Sequence, residues 1–176
     1  MNIYLQPLQF PDSHLLAGLA SSLSHAFKLP VFLSDKPFSL KGGYDPARNQ
    51  FNSTWILSQL IEQIPDEDSK ILGVTGVDLY VPVLTFVFGE AQLNGKAAVV
   101  SSYRLRDELY GLPKNPEKLK GRLEKEAIHE LGHTFGLIHC REPNCVMFTS
   151  TYAEEIDFKS RDFCPACSVF LRSEGN

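Results

Sequence analysis

Between residues 129 and 139 the chain reads His-Glu-Leu-Gly-His-Thr-Phe-Gly-Leu-Ile-His, and this run constrains the fold more than any other. On a helix His129 and His133 lie one turn apart and differ in direction by roughly 40°. Both imidazoles can therefore grip one metal ion from one face. Glu130 is rotated about 100° from His129. That makes it a poor third ligand but places it well to act on a zinc-bound water. On a continuing helix His139 would lie on roughly the opposite face, about 15 Å further along. It reaches the same ion only if the chain turns back. Gly136 stands where that turn must occur, and glycine accepts the positive φ that ends helices in a left-handed cap. The run thus predicts a helix, a glycine turn and a returning segment. Together they form a three-histidine cage with one open coordination position, the mark of a catalytic zinc. Two histidines four residues apart on a surface helix are often accidental. The eleven-residue form fixes five positions and leaves little room for chance.

The four cysteines all fall within residues 140–167, as Cys140 and Cys145, an 18-residue spacer, then Cys164 and Cys167. Two close pairs of thiolates are the usual form of a closed tetrahedral zinc site. Two disulfides are an alternative, with three possible connectivities, which a reducing cytosol disfavours. A redox-active C-x-x-C is a third, although its thioredoxin-like context is missing. A zinc clip here would pin the loop after His139 to the segment that starts at Cys164.

The long form H-E-x-x-H-x-x-G-x-x-H resembles the metzincin zinc peptidases. With Cys140, Cys145, Met147 and the Cys164-Pro165-Ala166-Cys167 pair, it resembles more narrowly the archaemetzincins, in which a four-cysteine zinc site lies beside the catalytic one. These motifs run from Glu126 to Cys167, about a quarter of the chain. Upstream, Tyr80-x-Pro82-x-Leu84-x-Phe86-Val87-Phe88-Gly89-Glu90-Ala91 is also similar to that family. The resemblance implies an α/β, zincin-like (metzincin-type) fold. That fold is a mixed twisted sheet with packed helices, an active-site helix ending at a glycine turn, and an irregular C-terminal subdomain. It implies that Met147 forms a turn beneath the three histidines; an ordinary core methionine is the plainer reading, and both can hold. It also implies that a peptide substrate lies extended along an edge strand above the zinc, a pairing tolerant of sequence. Thr85–Ala91 or its hairpin partner is the candidate edge, with Pro82 suited to such a position. Tyr152 is a weaker candidate for an oxyanion hydrogen bond, a packed or surface tyrosine being the bland alternative.

The hydrophobic periodicity supports this architecture. A strand is expected at 2–8, then a helix capped by Asp12 or Ser13 with Leu15, Leu16, Leu19, Leu23 and Phe27 on one stripe. A strand follows at 30–33 and a loop at 34–50. Asn52 or Ser53 caps a second helix carrying Ile56, Leu57, Leu60, Ile61 and Ile64. After a polar link at 66–69, strands are expected at 70–74, 85–88 and 97–103, with Asn94-Gly95 as a hairpin signal. Asn115-Pro116 opens the active-site helix, whose stripe is Leu119, Leu123, Ala127, Leu131 and Phe135. The order reads as a three-layer α/β arrangement. At 176 residues the expectation is a single metallopeptidase domain, about 1–136 forming an upper part and about 137–176 a lower one.

A hydrophobic share of 43% and a charged share of 22% are those of a globular chain. A net charge of −4 disfavours a nucleic-acid partner. The basic residues between Lys114 and Lys125 are interrupted by acidic ones and read as a solvated helix face. No apolar run approaches the roughly 18 residues of a membrane span, and the first residues lack the basic and apolar regions of a signal peptide. The expected protein is a cytoplasmic monomer acting on a peptide or protein. It is read as a zinc metallopeptidase with Glu130 as general base, His129, His133 and His139 on one zinc, and Cys140, Cys145, Cys164 and Cys167 on a second. A catalytically weak peptide binder, or a zinc-stabilised adaptor, is the alternative.

Overall fold

Three helices begin where the sequence supplies a side-chain acceptor for orphan backbone N–H groups. Leu15 N donates to Asp12 Oδ1 at 2.9 Å, Trp55 N to Asn52 Oδ1 at 2.9 Å, and Lys118 N to Asn115 Oδ1 at 3.0 Å. The computed structural model describes residues 1–174. In chain order the elements are β1 (Ile3–Leu8), α1 (Ser13–Phe27), β2 (Val31–Leu33), β3 (Tyr44–Asp45), β4 (Gln50–Asn52), α2 (Ser53–Ile61), β5 (Lys70–Thr75), β6 (Leu79–Tyr80), β7 (Gly89–Ala91), β8 (Ala97–Ser101), α3 (Pro116–Thr134), α4 (Ala153–Phe158) and α5 (Pro165–Glu174).

The main sheet has the order β2-β1-β5-β8-β7, parallel except for β7, which runs antiparallel to β8 at one edge. A three-stranded sheet, β3-β4-β6, lies apart from it. Alternate residues of the central strands feed two cores. Leu72, Val74, Ala98 and Val100 pack with α1 and α3, while Ile71, Ala97 and Val99 pack with α2. Burial on both faces is why β5 and β8 read as continuous apolar runs rather than alternating ones. The result is the three-layer α/β arrangement expected: α2, sheet, then α1 with α3. Among the described residues no helix is long and apolar enough to cross a membrane.

Three local expectations are corrected. Residues 85–88 are not a continuous strand: Val87 makes only an isolated bridge to Leu79, and the carbonyls at the start of the segment are taken by side chains. Arg48 Nη2 donates to Leu84 O at 2.6 Å and Gln50 Nε2 to Thr85 O at 3.0 Å. The edge strand begins later, at Gly89. The expected loop at 34–50 contains a 3-10 turn at Lys41–Gly43 and β3, and Gln50 begins β4. Gly42 and Gly43 lie so close to the Trp55 ring that a Cβ on either would fall 2.4 or 2.6 Å from it. The C-terminal part, expected to be irregular, carries α4 and α5.

Candidate active site

α3 is fixed at both ends before it presents any histidine. Near its start the fully buried Arg122 donates to Asp107 Oδ1 at 2.7 Å, to Leu105 O at 2.9 Å, and through two nitrogens to Asp157 at 2.8 and 2.7 Å. This joins α3 to α4. At its far end Leu137 N donates to Gly132 O at 3.2 Å and Gly136 N to His133 O at 2.9 Å. Those are the two bonds of a Schellman cap, and Gly136 takes the left-handed residue with φ 88°. The chain turns back as Gly136 requires, and His139 returns to face His129 and His133.

The returning chain also orients the helical imidazoles. His129 Nδ1 lies 2.9 Å from Val146 O, and His133 Nδ1 lies 2.7 Å from Leu137 O. A carbonyl only accepts, so each Nδ1 carries the proton and each Nε2 offers a lone pair. The two Nε2 atoms are 3.2 Å apart. Two nitrogens about 2.0–2.1 Å from one tetrahedral ion are separated by about 3.3–3.4 Å. Ligand atoms of all three histidines lie within 4.8 Å of one another. Burial, then the charge of Lys159, holds His129 well below the ordinary imidazole pKa, and burial holds His133 below it. Both therefore favour the neutral form that ligates metal. The donor set suits zinc.

Glu130 is buried beneath the edge strand. A Cβ at Gly89 would fall 2.6 Å from Glu130 Cγ, so only glycine lets β7 cross the carboxylate there. Burial first, then the Glu126 carboxylate, push Glu130 well above the ordinary carboxylate pKa, and Lys159 opposes them. A dication at the histidines would act in the same direction as Lys159. Lys159 Nζ lies 2.9 Å from Glu126 Oε1, outside hydrogen-bonding angles, and donates to Phe148 O at 3.1 Å. A cleft of about 450 Å³ is lined by Glu130, His129 and His139, by Leu84, Phe86, Phe88 and Gly89, and by Thr149, Ser150, Thr151 and Tyr152. Tyr152 is an exposed side chain on its rim.

The cysteines form a second cluster. Cys140 Sγ is 3.8 Å from Cys164 Sγ, and Cys145 Sγ is 3.8 Å from Cys167 Sγ. A disulfide needs about 2.05 Å. Two sulfurs about 2.3 Å from one tetrahedral zinc sit about 3.8 Å apart. The four cysteines are free, and their sulfurs also lie within 4.8 Å of one another. The Cys167 backbone N–H, first among several donors, draws Cys164 down to about 7, whereas burial pushes Cys145 and Cys167 up. Met147 is fully buried against Gly132, where an added Cβ would fall 2.6 Å from its Sδ.

The family model for Peptidase family M54 matches residues 40–173. The chain belongs to this family. It is 42% identical over 175 residues to the archaemetzincin of Methanocaldococcus jannaschii, covering 99% of this chain and 95% of that one. It is also 42% identical over 173 residues to the archaemetzincin of Archaeoglobus fulgidus, covering 98% and 99%. A solved zinc-dependent peptidase from Methanocorpusculum labreanum superposes with a TM-score of 0.86 at 35% identity, over 97% of this chain and all of that one. The crystal structure of the A. fulgidus archaemetzincin with malonate gives 0.81 at 40% identity, over 97% and 99%. Membership of the archaemetzincin family makes the chain a zinc metallopeptidase.

Several residues around this archaemetzincin site were not singled out from the sequence. Arg122 falls in the basic run read above as a solvated helix face, whereas it is fully buried on α3 and paired with Asp107 and Asp157. Gly132, inside the histidine motif, marks the close approach of Met147. Lys159, with its partner Glu126, and Lys70 give no local signal, because their roles depend on which distant carbonyls the fold brings to them.

Proposed function

We propose that this chain hydrolyses peptide bonds at a zinc ion held by His129, His133 and His139, with Glu130 as general base. A second, structural zinc is held by Cys140, Cys145, Cys164 and Cys167. The observation that carries the reading is the position of Glu130. It is buried and lines the same cleft as His129 and His139, yet it is not part of the three-histidine ligand group. Zinc, when bound, supplies a water whose pKa is lowered to about 7 and polarises the scissile carbonyl. Glu130 takes the proton and returns it to the leaving amine.

The substrate is a peptide in extended form. β7 is one of the two edge strands of the main sheet and its Gly89 lines the cleft, which supports edge pairing there. Tyr152, exposed at the same cleft, is the weaker candidate for donating to an oxyanion. The parts about 1–136 and 137–176 act as one catalytic unit, since His139 comes from the second and the other two histidines from the first. Four thiols at zinc-type separations suit a reducing cytoplasm. Digestion of a diverse peptide library by the metal-analysed protein, with Glu130→Gln beside it, tests the reading. Cleavage by the wild type alone, with two zinc ions per chain in both, supports it. Equal products from both would remove Glu130 from its role, and no products from either would leave a peptide-binding protein.

A further inference from the structure

A helix leaves its last carbonyls without intrahelical donors, and the end of α3 can be accounted for group by group. Leu131 O accepts from Thr134 Oγ1 at 2.7 Å. Gly132 O accepts from Phe135 N and Leu137 N. His133 O accepts from Gly136 N and also, at 2.8 Å, from Asn94 N in the β7–β8 hairpin. Thr134 O is met by a side chain from 64 residues earlier in the chain. Lys70 Nζ, at the start of β5, donates to it at 2.9 Å and to Gly95 O at 2.6 Å. The ammonium also lies 5.0 Å from the centre of the Phe135 ring. One half-buried cation therefore ties together the helix end, the hairpin and the residue before the Gly136 turn.

The charge has a reason to come from outside the helix. The negative end of a helix dipole is favourably met by a cation in its last turn. The only basic residue in the last turn of α3 is His133. That residue is a candidate metal ligand and must stay neutral to serve as one. From this we infer that Lys70 is a positioning residue for the three-histidine centre. Its ammonium supplies the C-terminal cation that α3 cannot carry itself. With the Asn94–Gly95 hairpin it locks the Phe135–Gly136 turn that sends His139 back. Lys70 touches neither the metal nor the substrate and acts through the backbone of residues 133–136. The inference rests on the three histidines holding a metal.

The test compares wild type, Lys70→Met, Lys70→Gln and Lys70→Arg. Lys70→Met keeps the apolar stem and removes the donors. Zinc affinity of the histidine site is read by competition with a chromophoric chelator, and its geometry by the visible absorption of Co2+ loaded there. Both neutral variants should bind the histidine-site metal about tenfold more weakly, the lower range for loss of a group that orients ligands. Their cobalt bands should broaden, while the cysteine-site metal is held as in wild type and Lys70→Arg recovers most of the affinity. Wild-type affinity and an unchanged cobalt spectrum in Lys70→Met, even with a lower melting temperature, would overturn the proposal and leave Lys70 a stability residue. So would failure of both neutral variants to fold when Lys70→Arg folds. If wild type itself takes no metal at the histidines, the zinc reading falls and this inference falls with it.

Discussion

Replacing Gly136 separates backbone strain from crowding. Its φ of 88° lies in the left-handed region. A Cβ built there meets only Phe170 Cζ at 3.4 Å, Phe170 Cε1 at 3.5 Å and Asn94 Oδ1 at 3.6 Å, all ordinary contacts. The cost of Gly136→Ala is therefore conformational, about 1–2 kcal/mol. Two outlets exist for it. If the turn holds its shape, the whole cost falls on folding, and a domain of this size loses roughly 2–8 °C in melting temperature. If the turn relaxes in the metal-free chain, zinc must restore it, and affinity at the histidine site drops by a factor of about 5–30. The two losses together should sum to the strain. Measuring melting of the metal-free protein and chelator-competition affinity on one preparation gives both. Gly136→Val adds methyls beside Phe170 and should lose more of the histidine-site zinc. Gly121→Ala is the control: it sits mid-helix in α3 with nothing within 4 Å of the added carbon. It should be neutral or stabilise by about 0.5–1 kcal/mol. A Gly136→Ala variant with wild-type melting and wild-type zinc affinity would refute the left-handed turn as the device that returns His139.

Glu130→Ala and Glu130→Gln should abolish hydrolysis yet retain zinc at the histidines, as measured by elemental analysis beside a peptide assay; loss of both together would make Glu130 a ligand. A bidentate chelator should remove two zinc ions at unequal rates, because the histidine site keeps an open position while the cysteine site is closed. The first loss should take activity with little unfolding and the second should loosen residues 140–167; one zinc per chain in a time course of release, activity and melting would contradict this. In metal-free protein Cys164, drawn down to about 7, should alkylate fastest, with a rate that rises through about pH 7 as its thiolate forms, while buried Cys145 and Cys167 lag. Peptide mapping that finds all four thiols equally labelled at pH 7.5 would count against the asymmetry.

What the sequence made legible was whatever depends on near neighbours. Asp12, Asn52 and Asn115 each cap the helix that follows them, and Gly136 takes the left-handed turn that the histidine spacing demands. The short spacing made the two cysteine pairs legible as one cluster, although the 3.8 Å contacts join Cys140 to Cys164 and Cys145 to Cys167 across the segment that carries α4. Segments whose backbone partners are side chains from far along the chain were misread. Phe86 to Phe88 form an apolar, β-prone run, but Arg48 and Gln50 reach across to the carbonyls before them. Lys70 and Lys159 look like surface lysines, and their polar partners lie in segments that only the folded sheet and helices bring close.

The chain has no slack between its two candidate metal clusters, because Cys140 follows His139 directly and Cys140 N is tied to Met147 O at 2.9 Å. A single residue inserted between them would shift one set of donors relative to the other and drag the Val146 carbonyl off His129. The exposed turn at Pro65–Asp68 stands in contrast. Its backbone faces water, and each doubling of a flexible loop costs only about 0.6 kcal/mol. Length variation in such a scaffold should therefore accumulate at turns like this one. The stretch from His129 to Cys145 should behave as a ruler, in which residues are exchangeable at a few positions but the count is not.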